Sequence, residues 1–302
     1  MTWRDSLVAG AYRLGWAGVR ALPERAAYGL FDRIADGLWR ANGSGVRRLR
    51  SNYARLRPEL PPAQLEPLVR AGMRAYLRYY CEAFRLPALS RPEIVERVRV
   101  VGDEPVRAHL AAGRPVVCFL GHMGNWDLAG AWCCLELGTV VTVAERLKPE
   151  AVFKEFLEFR TGLGMRIVPL TGGAEVFAAL RAHAKEPVII PLLADRDLTG
   201  GGLEVDLRGQ PARAAVGPAA LALSTGAALH PVSIRHERRG RGWGIVITFH
   251  EAVSAPAQGG TRVRAAAMTQ ACMDVLGAEL AAHPADWHML QRVFTADLEP
   301  AR

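Results

Sequence analysis

The 302-residue sequence has few cysteines, and their pattern fits neither a disulfide framework nor a zinc site. Their number is odd, and no two have the C-x-x-C spacing of zinc and redox sites. They are Cys81, Cys118, Cys133, Cys134 and Cys272. This usage indicates reduced, buried thiols in a cytoplasmic protein. We also find no pattern of a secretory signal, because the apolar run between Asp5 and Arg13 is too short for one.

Several catalytic and membrane signatures are missing as well. There is no G-x-S-x-G nucleophile elbow, no P-loop, and no G-x-G-x-x-G after a strand. The mean hydropathy of +0.06 argues against a polytopic membrane protein. An uncharged run between Arg213 and Arg235 could span a bilayer by length. Gly217-Pro218 and Gly226 divide it, however, so we predict a short helix followed by a strand.

The excess of positive charge, +8 overall, lies entirely in the first third of the chain. Residues 1–100 contain 18 arginines against 9 acidic residues, whereas the remainder contains 20 basic and 21 acidic residues. A local basic excess favours a polyanionic partner such as an anionic lipid surface, a phosphorylated ligand or nucleic acid.

Hydrophobic periodicity divides the chain into two regions. Residues 1–90 have the spacing of amphipathic helices, which predicts an N-terminal helical region that associates with a membrane. Within residues 91–302, short β-branched runs alternate with helical stretches. This alternation predicts the α/β class, with a central, mostly parallel sheet and flanking helices. No long linker separates the regions, so we expect one compact unit.

The segment Phe119–Asp127, FLGHMGNWD, contains the strongest candidate site. His122 follows an apolar strand, and ligands of open α/β sheets bind at the carboxyl ends of strands. Asp127 lies five residues further on and could fix the imidazole tautomer, leaving the other ring nitrogen as a base. The alternative is a turn histidine and a helix-capping aspartate. A metal site is less favoured, because no third ligand stands at a recognised spacing.

A second polar segment, ADRDLTGGGLEVD at Ala194–Asp206, follows another apolar strand. Because parallel strands deliver their carboxyl ends to one face, we expect Arg196 and Glu204 to lie in the same site as His122. The alternative is a solvated charged loop. A base without a nucleophile motif favours direct attack by a substrate hydroxyl on an activated acyl group.

These motifs resemble those of a known family. Gly121–Asp127 resembles the His-x4-Asp motif of the lysophospholipid and lipid A acyltransferases, in the GHxGNW form of the lipid A branch. Arg47–Arg55 resembles an early segment of that branch, and Asp195–Asp197 with Pro211–Arg213 resembles its second block. The DRDL sequence and the G-x-E-V strand are most similar to the actinobacterial phosphatidylinositol mannoside acyltransferases.

The resemblance implies a glycerolipid-acyltransferase-like fold and the transfer of a palmitoyl group from acyl-CoA to a mannose hydroxyl of a phosphatidylinositol mannoside. It implies a peripheral protein on the cytoplasmic face of the cell membrane, with acyl-CoA as co-substrate and no cofactor or metal. His122 matches the family's general base, Asp127 its partner and Glu204 a further acidic residue. We also predict substrate contacts for Asn125, Arg146 and Arg196. The sequence departs from the family at residues 207–209, where LRG replaces an aromatic-rich FFG.

Three other functions stay open at this point. One is O-acyl transfer to a lipid A-type or other glycolipid or lysophospholipid acceptor. Another is hydrolysis of the thioester, with water replacing the acceptor. The third is a non-catalytic protein that binds anionic lipid or nucleic acid, although the sequence has no RNP, zinc-finger or aromatic-interleaved basic motif. We therefore expect no nucleic-acid partner.

Overall fold

The computed structural model describes residues 15–144, 150–170, 173–197, 200–240 and 242–298. Its strands are β1 (Val98–Val101), β2 (Val116–Leu120), β3 (Val141–Ala144), β4 (Arg166–Pro169), β5 (Ile189–Leu193), β6 (Leu203–Leu207), β7 (Gln210–Ala214), β8 (Ala228–Arg239) and β9 (Gly242–Phe249). Five of them form the central sheet in the order β1-β9-β8-β2-β5. The predicted mixed α/β class with a mostly parallel sheet is confirmed, since only the β8–β9 pair of this sheet is antiparallel.

Helices cover both faces of the sheet and form the first part of the chain. They are α1 (Glu24–Ala41), α2 (Ser44–Leu56), α3 (Pro62–Arg85), α4 (Arg91–Glu96), α5 (Glu104–Ala111), α6 (Trp126–Glu136), α7 (Glu150–Gly162), α8 (Gly173–His183), α9 (Gly217–Thr225) and α10 (Thr261–Ala282). Helices α6, α7 and α8 stand between the successive strands from β2 to β5, as the alternation of strand and helix predicts. The uncharged run contains α9 and the start of β8, as its glycines and proline indicate. Across the ranges that the structure describes, no helix combines the length and apolar character needed to cross a bilayer.

The N-terminal helices pack directly on the α/β body. Tyr53 of α2 and Met73 of α3 belong to the same buried cluster as Phe119 of β2 and Leu276 of α10. This shared core crosses residue 90, where we predicted the boundary between the two regions. That boundary stays a prediction.

Register brings the ends of two central strands together. β2 and β5 pair in parallel, with Leu120 opposite Leu193. His122 and Asp195 each follow two residues later, so the fold places both side chains at the carboxyl edge of the sheet.

The β6–β7 hairpin was not predicted. Val205 and Leu207 of β6 face the core, and the alternate residues Glu204 and Asp206 face solvent.

Candidate active site

His122 and Asp195 form the centre of the site. The backbone N–H of His122 donates a hydrogen bond to Asp195 Oδ2 at 2.9 Å, and its ring Nδ1 lies 2.5 Å from Asp195 Oδ1. The carboxylate thereby holds both the loop and the ring of the histidine. Because Nδ1 is occupied, Nε2 is the nitrogen left to accept a proton from a ligand.

Asp195 is fully buried, which makes its hydrogen bonds decisive for its charge. Burial alone raises the pKa of this carboxyl group. The His122 imidazole and the hydrogen bonds from His122 and Trp287 outweigh that effect, so the pKa lies below its usual value. The Trp287 indole N–H donates to Asp195 Oδ2 at 2.8 Å. Asp195 is therefore an ionised partner, fixed from two sides.

The predicted hydrogen bond between Asp127 and His122 is wrong. Asp127 accepts one from Arg160 Nε at 2.7 Å and another from the Tyr79 hydroxyl at 2.7 Å. It is only 1% exposed, at the start of α6, and Arg160 neutralises its charge there. The neighbouring Trp126 packs its ring 4.1 Å from that of Tyr79. Asp127 thus joins α3, α6 and α7 rather than orienting the imidazole.

The loop after β2 is held by its own backbone and by Asn125. Gly124 has φ +61°, and a Cβ there would lie 2.4 Å from the carbonyl oxygen of Ile234, so only glycine fits. Asn125 caps α6 by accepting a hydrogen bond from Leu128 N, and its Nδ2 donates to Glu82 at 2.8 Å. Asn125 is completely buried. Both ends of its amide make hydrogen bonds within the protein, and the predicted substrate contact of Asn125 stays a prediction.

A C-terminal segment that our sequence reasoning missed completes the site. The backbone N–H of His288 donates to the His122 carbonyl at 2.7 Å, and that of Gly124 donates to the Asp286 carbonyl at 3.0 Å. Trp287 forms a bridge with Met123. The His288 ring, buried beside Trp126, lines the same cavity as His122, and burial lowers its pKa to about 3. The motif WHML at 287–290 matches no general catalytic pattern, so only the fold reveals this role.

A buried ionic network supports the loop after β2, because Glu82 and Asp286 hydrogen-bond to residues of that loop. His236 Nδ1 lies 2.7 Å from Asp286 Oδ1, and its Nε2 lies 3.3 Å from Glu82 Oε2. Burial lowers the pKa of His236, but the two carboxylates outweigh it and raise the pKa to about 9. His236, Asp286 and His288 offer ligand atoms within 4.8 Å of one another and could hold a metal ion. In this structure the carboxylates of Glu82 and Asp286 already balance the positive charge of the protonated His236.

His122 stands at the polar end of an apolar cavity of about 360 Å³. The polar residues that line the cavity around it include Tyr76, Tyr80, Arg196, His288 and Gln291. Apolar side chains of β2, β5, α6 and α7 form most of the remaining wall, which also includes the Asp127–Arg160 pair. Arg196 thus shares a cavity with His122, and its contact with substrate stays a prediction. The cavity is suited to a ligand with a long hydrocarbon chain and a reactive polar head.

The remaining predicted residues lie elsewhere. Glu204 is exposed on β6, where the Thr295 hydroxyl lies 3.5 Å from its carboxylate, and its predicted role beside His122 stays a prediction. The alternation of β6 points it outward, and Asp195 occupies the place beside the imidazole. Arg146 falls outside the described residues, and its role stays a prediction.

Comparisons with known proteins show which family the sequence matches. A family model described as bacterial lipid A biosynthesis acyltransferase matches residues 2–296. A phosphatidylinositol mannoside acyltransferase of Mycobacterium tuberculosis (strain ATCC 25618 / H37Rv) is 43% identical over 295 residues, covering 97% of this chain and 90% of the relative. A protein of the same name from Mycolicibacterium smegmatis is 41% identical over 292 residues, which cover 96% of this chain and 92% of the relative.

Proposed function

Because the chain belongs to the bacterial lipid A biosynthesis acyltransferase family, and is therefore an acyltransferase, we propose a specific reaction for it. It transfers a long-chain acyl group, palmitoyl, from acyl-CoA to a mannose hydroxyl of a phosphatidylinositol mannoside. The names of the relatives support this acceptor. The observation that carries the chemistry is the His122–Asp195 pair at the polar end of the apolar cavity.

In the proposed step, His122 acts as the general base. Its Nε2 accepts the proton of the mannose hydroxyl as that oxygen attacks the carbonyl carbon of the thioester. The C–O bond forms and the C–S bond then breaks. The proton passes from the imidazolium to the departing coenzyme A thiolate, so the enzyme returns to its starting state. Asp195 stabilises the imidazolium through Nδ1 and holds the productive tautomer.

The cavity supports a long acyl chain as the transferred group. Its apolar walls would receive the hydrocarbon, while the thioester carbonyl stays at the level of His122. Burial of hydrocarbon stabilises the complex by about 0.8 kcal/mol per methylene group. That contribution favours long-chain donors over short ones and keeps water away from the thioester. A hydrolase function is less favoured for the same reason.

We place the protein on the cytoplasmic face of the cell membrane as a peripheral protein. The outer face of α1 exposes Leu30, Ile34 and Leu38, which are 41–45% exposed and stand one helical turn apart. The exposed arginines Arg33 and Arg40 lie on the same helix. An apolar stripe flanked by arginines suits the headgroup layer of an anionic membrane.

The test is an acyl-transfer assay with the purified full-length chain. Radiolabelled palmitoyl-CoA is supplied with phosphatidylinositol mannoside, with a lysophospholipid, or with no acceptor. We expect labelled mannoside in the first reaction and none with the His122→Ala variant. Label on the lysophospholipid alone would replace the proposed acceptor. Release of free palmitate at the same rate in all three reactions would establish a thioesterase.

A further inference from the structure

The closed end of the cavity has a defined position on the sheet. Cys118 and Leu120 line the cavity from one face of β2, because alternate residues of a strand point to one side, and His122 follows that strand at its carboxyl end. Ile189 and Pro191 line it from β5. Asp195 lies six positions after Ile189, a length of roughly 20 Å at about 3.3 Å per residue. The cavity therefore extends along the sheet away from the catalytic pair.

Two elements close that end. Val140, the residue before β3, forms a bridge with Ile189, so the two lie at the same level. The backbone N–H of Arg166 donates to the Val140 carbonyl at 2.8 Å, which places Met165 beside them. Val140, Met165 and Ile189 are buried, and all three line the cavity. Because Ile189 lies opposite Val116, six positions before His122, these three residues stand at the end of the cavity remote from His122, which we call its floor.

Met165 fits against a residue without a side chain. A Cβ built on Gly130 of α6 would lie 2.5 Å from Met165 Cε and 3.1 Å from its Sδ. The thioether therefore crosses the space that any larger residue at position 130 would fill. Methionine is flexible, so a small change at either position moves its terminal methyl group without breaking the surrounding helix and strand.

We propose that Met165, packed across Gly130, is the specificity-determining residue that sets the longest acyl chain the cavity accepts. This inference rests on the proposed function. An acyl chain anchored by its carbonyl at His122 extends toward the floor, so its terminal carbons meet the Met165 side chain. Shortening residue 165 deepens the cavity, and enlarging residue 130 drives the thioether into it.

The experiment offers an equimolar mixture of saturated acyl-CoAs, from dodecanoyl to icosanoyl, and determines product chain lengths by mass spectrometry. We expect Met165→Ala to raise the ratio of octadecanoyl to hexadecanoyl product about tenfold, the size of discrimination that one or two methylene groups give. Gly130→Ala should shift the products to shorter chains. Opposite shifts from two residues in contact are not expected from a general loss of stability.

Two matched controls accompany the variants. Met273→Ala removes the same atoms from a buried position on α10 that does not line the cavity. Gly162→Ala adds the same methyl group on α7, where nothing lies within 4 Å of the new Cβ. Both should keep the wild-type profile. An unchanged profile in folded Met165→Ala and Gly130→Ala would overturn the proposal.

A binding measurement separates this inference from the proposed reaction. If the wild-type chain transfers no acyl group to the mannoside, the proposed function fails. The thermal shifts given by saturated free fatty acids of the same lengths then decide the question of length. Met165→Ala should move the best-bound fatty acid to a longer chain, and an unmoved optimum would overturn the inference on its own.

Discussion

His122 and Asp195 stand 73 positions apart in the chain, yet two hydrogen bonds join them, one from the backbone amide and one at the ring. The amide contact fixes the loop to the carboxylate, and the ring contact fixes the tautomer. One carboxylate therefore controls both the position and the protonation of the proposed base. Substituting Asp195 should affect turnover more than binding, because the acyl cavity lies to one side of the pair.

We predict that Asp195→Asn lowers kcat by roughly 10²–10⁴-fold, because the amide cannot hold the imidazolium and favours the wrong tautomer. His122→Ala should lose a similar amount, and the double variant little more, since the pair acts as a unit. Steady-state kinetics with palmitoyl-CoA measures all three. Asp274→Asn, the same change at an exposed position on α10, is the control. A near-normal kcat for Asp195→Asn would exclude this assignment.

We predict that Asp127 contributes to the stability of the fold rather than directly to turnover. Asp127→Asn leaves Arg160, whose side chain is only 17% exposed, without its carboxylate. Removing one partner of a buried ion pair costs about 3–5 kcal/mol, whereas replacing both by apolar groups costs much less. Urea unfolding should therefore show a large loss for Asp127→Asn and partial recovery for Asp127→Leu combined with Arg160→Met. If Asp127→Asn retains full stability but loses turnover, Asp127 belongs to the catalytic machinery after all.

Glu204→Gln should leave kcat and KM unchanged. The carboxylate is exposed on β6, and a long contact with Thr295 is the one the structure gives it among the described residues. The neighbouring exposed residue Asp206 provides a comparison through Asp206→Asn. Rate measurements at several acceptor concentrations decide the matter. A tenfold fall in kcat would restore the catalytic role that the sequence suggested.

The His236 network predicts a loss of stability in alkaline solution. The pKa of His236 is about 9 in the folded chain against 6.5 for an ordinary histidine. Its stabilising contribution is therefore complete below about pH 6.5 and is lost as the pH rises through 9. The groups that face it are Glu82, Asp286, Arg78 and His288. The neutral His288 takes up a proton on unfolding only below pH 6.5, outside this window.

To test this, the free energy of unfolding is measured as a function of pH for the wild type and for His236→Gln. The difference between the two should be largest at and below pH 6.5, should fall between pH 6.5 and 9, and should be small above pH 9. A difference that stays constant across this range would show that His236 is not charged in the folded protein.

Membrane binding should depend on both parts of the α1 surface. Replacing Arg33 and Arg40 by Gln should weaken binding to vesicles containing phosphatidylinositol by about 1 kcal/mol per arginine, an effect that added salt screens. Replacing Leu30, Ile34 and Leu38 by Gln should weaken binding at all salt concentrations. Sedimentation with vesicles measures both. Wild-type binding by both variants would assign the membrane contact to another surface.

The sequence was sufficient to predict the edge of the sheet where the site lies, because strand runs and the residues after them are local patterns. It was not sufficient to choose the partner of His122 among Asp127, Asp195 and Glu204. That choice depends on the register of β2 against β5, which brings Asp195 level with His122. It also depends on Arg160, which binds Asp127 from a different helix. Neither relationship leaves a signal in residue spacing.

The segment at 286–288 has a consequence for how the protein is made. It supplies the backbone contacts to His122 and Gly124 and the indole that holds Asp195, yet it lies close to the C-terminal end of the sequence. During translation these residues leave the ribosome after every strand of the central sheet. His122 therefore gains its complete set of hydrogen bonds only after every strand of the central sheet has been made, and a growing chain that still lacks residues 286–288 cannot present a finished centre for chemistry.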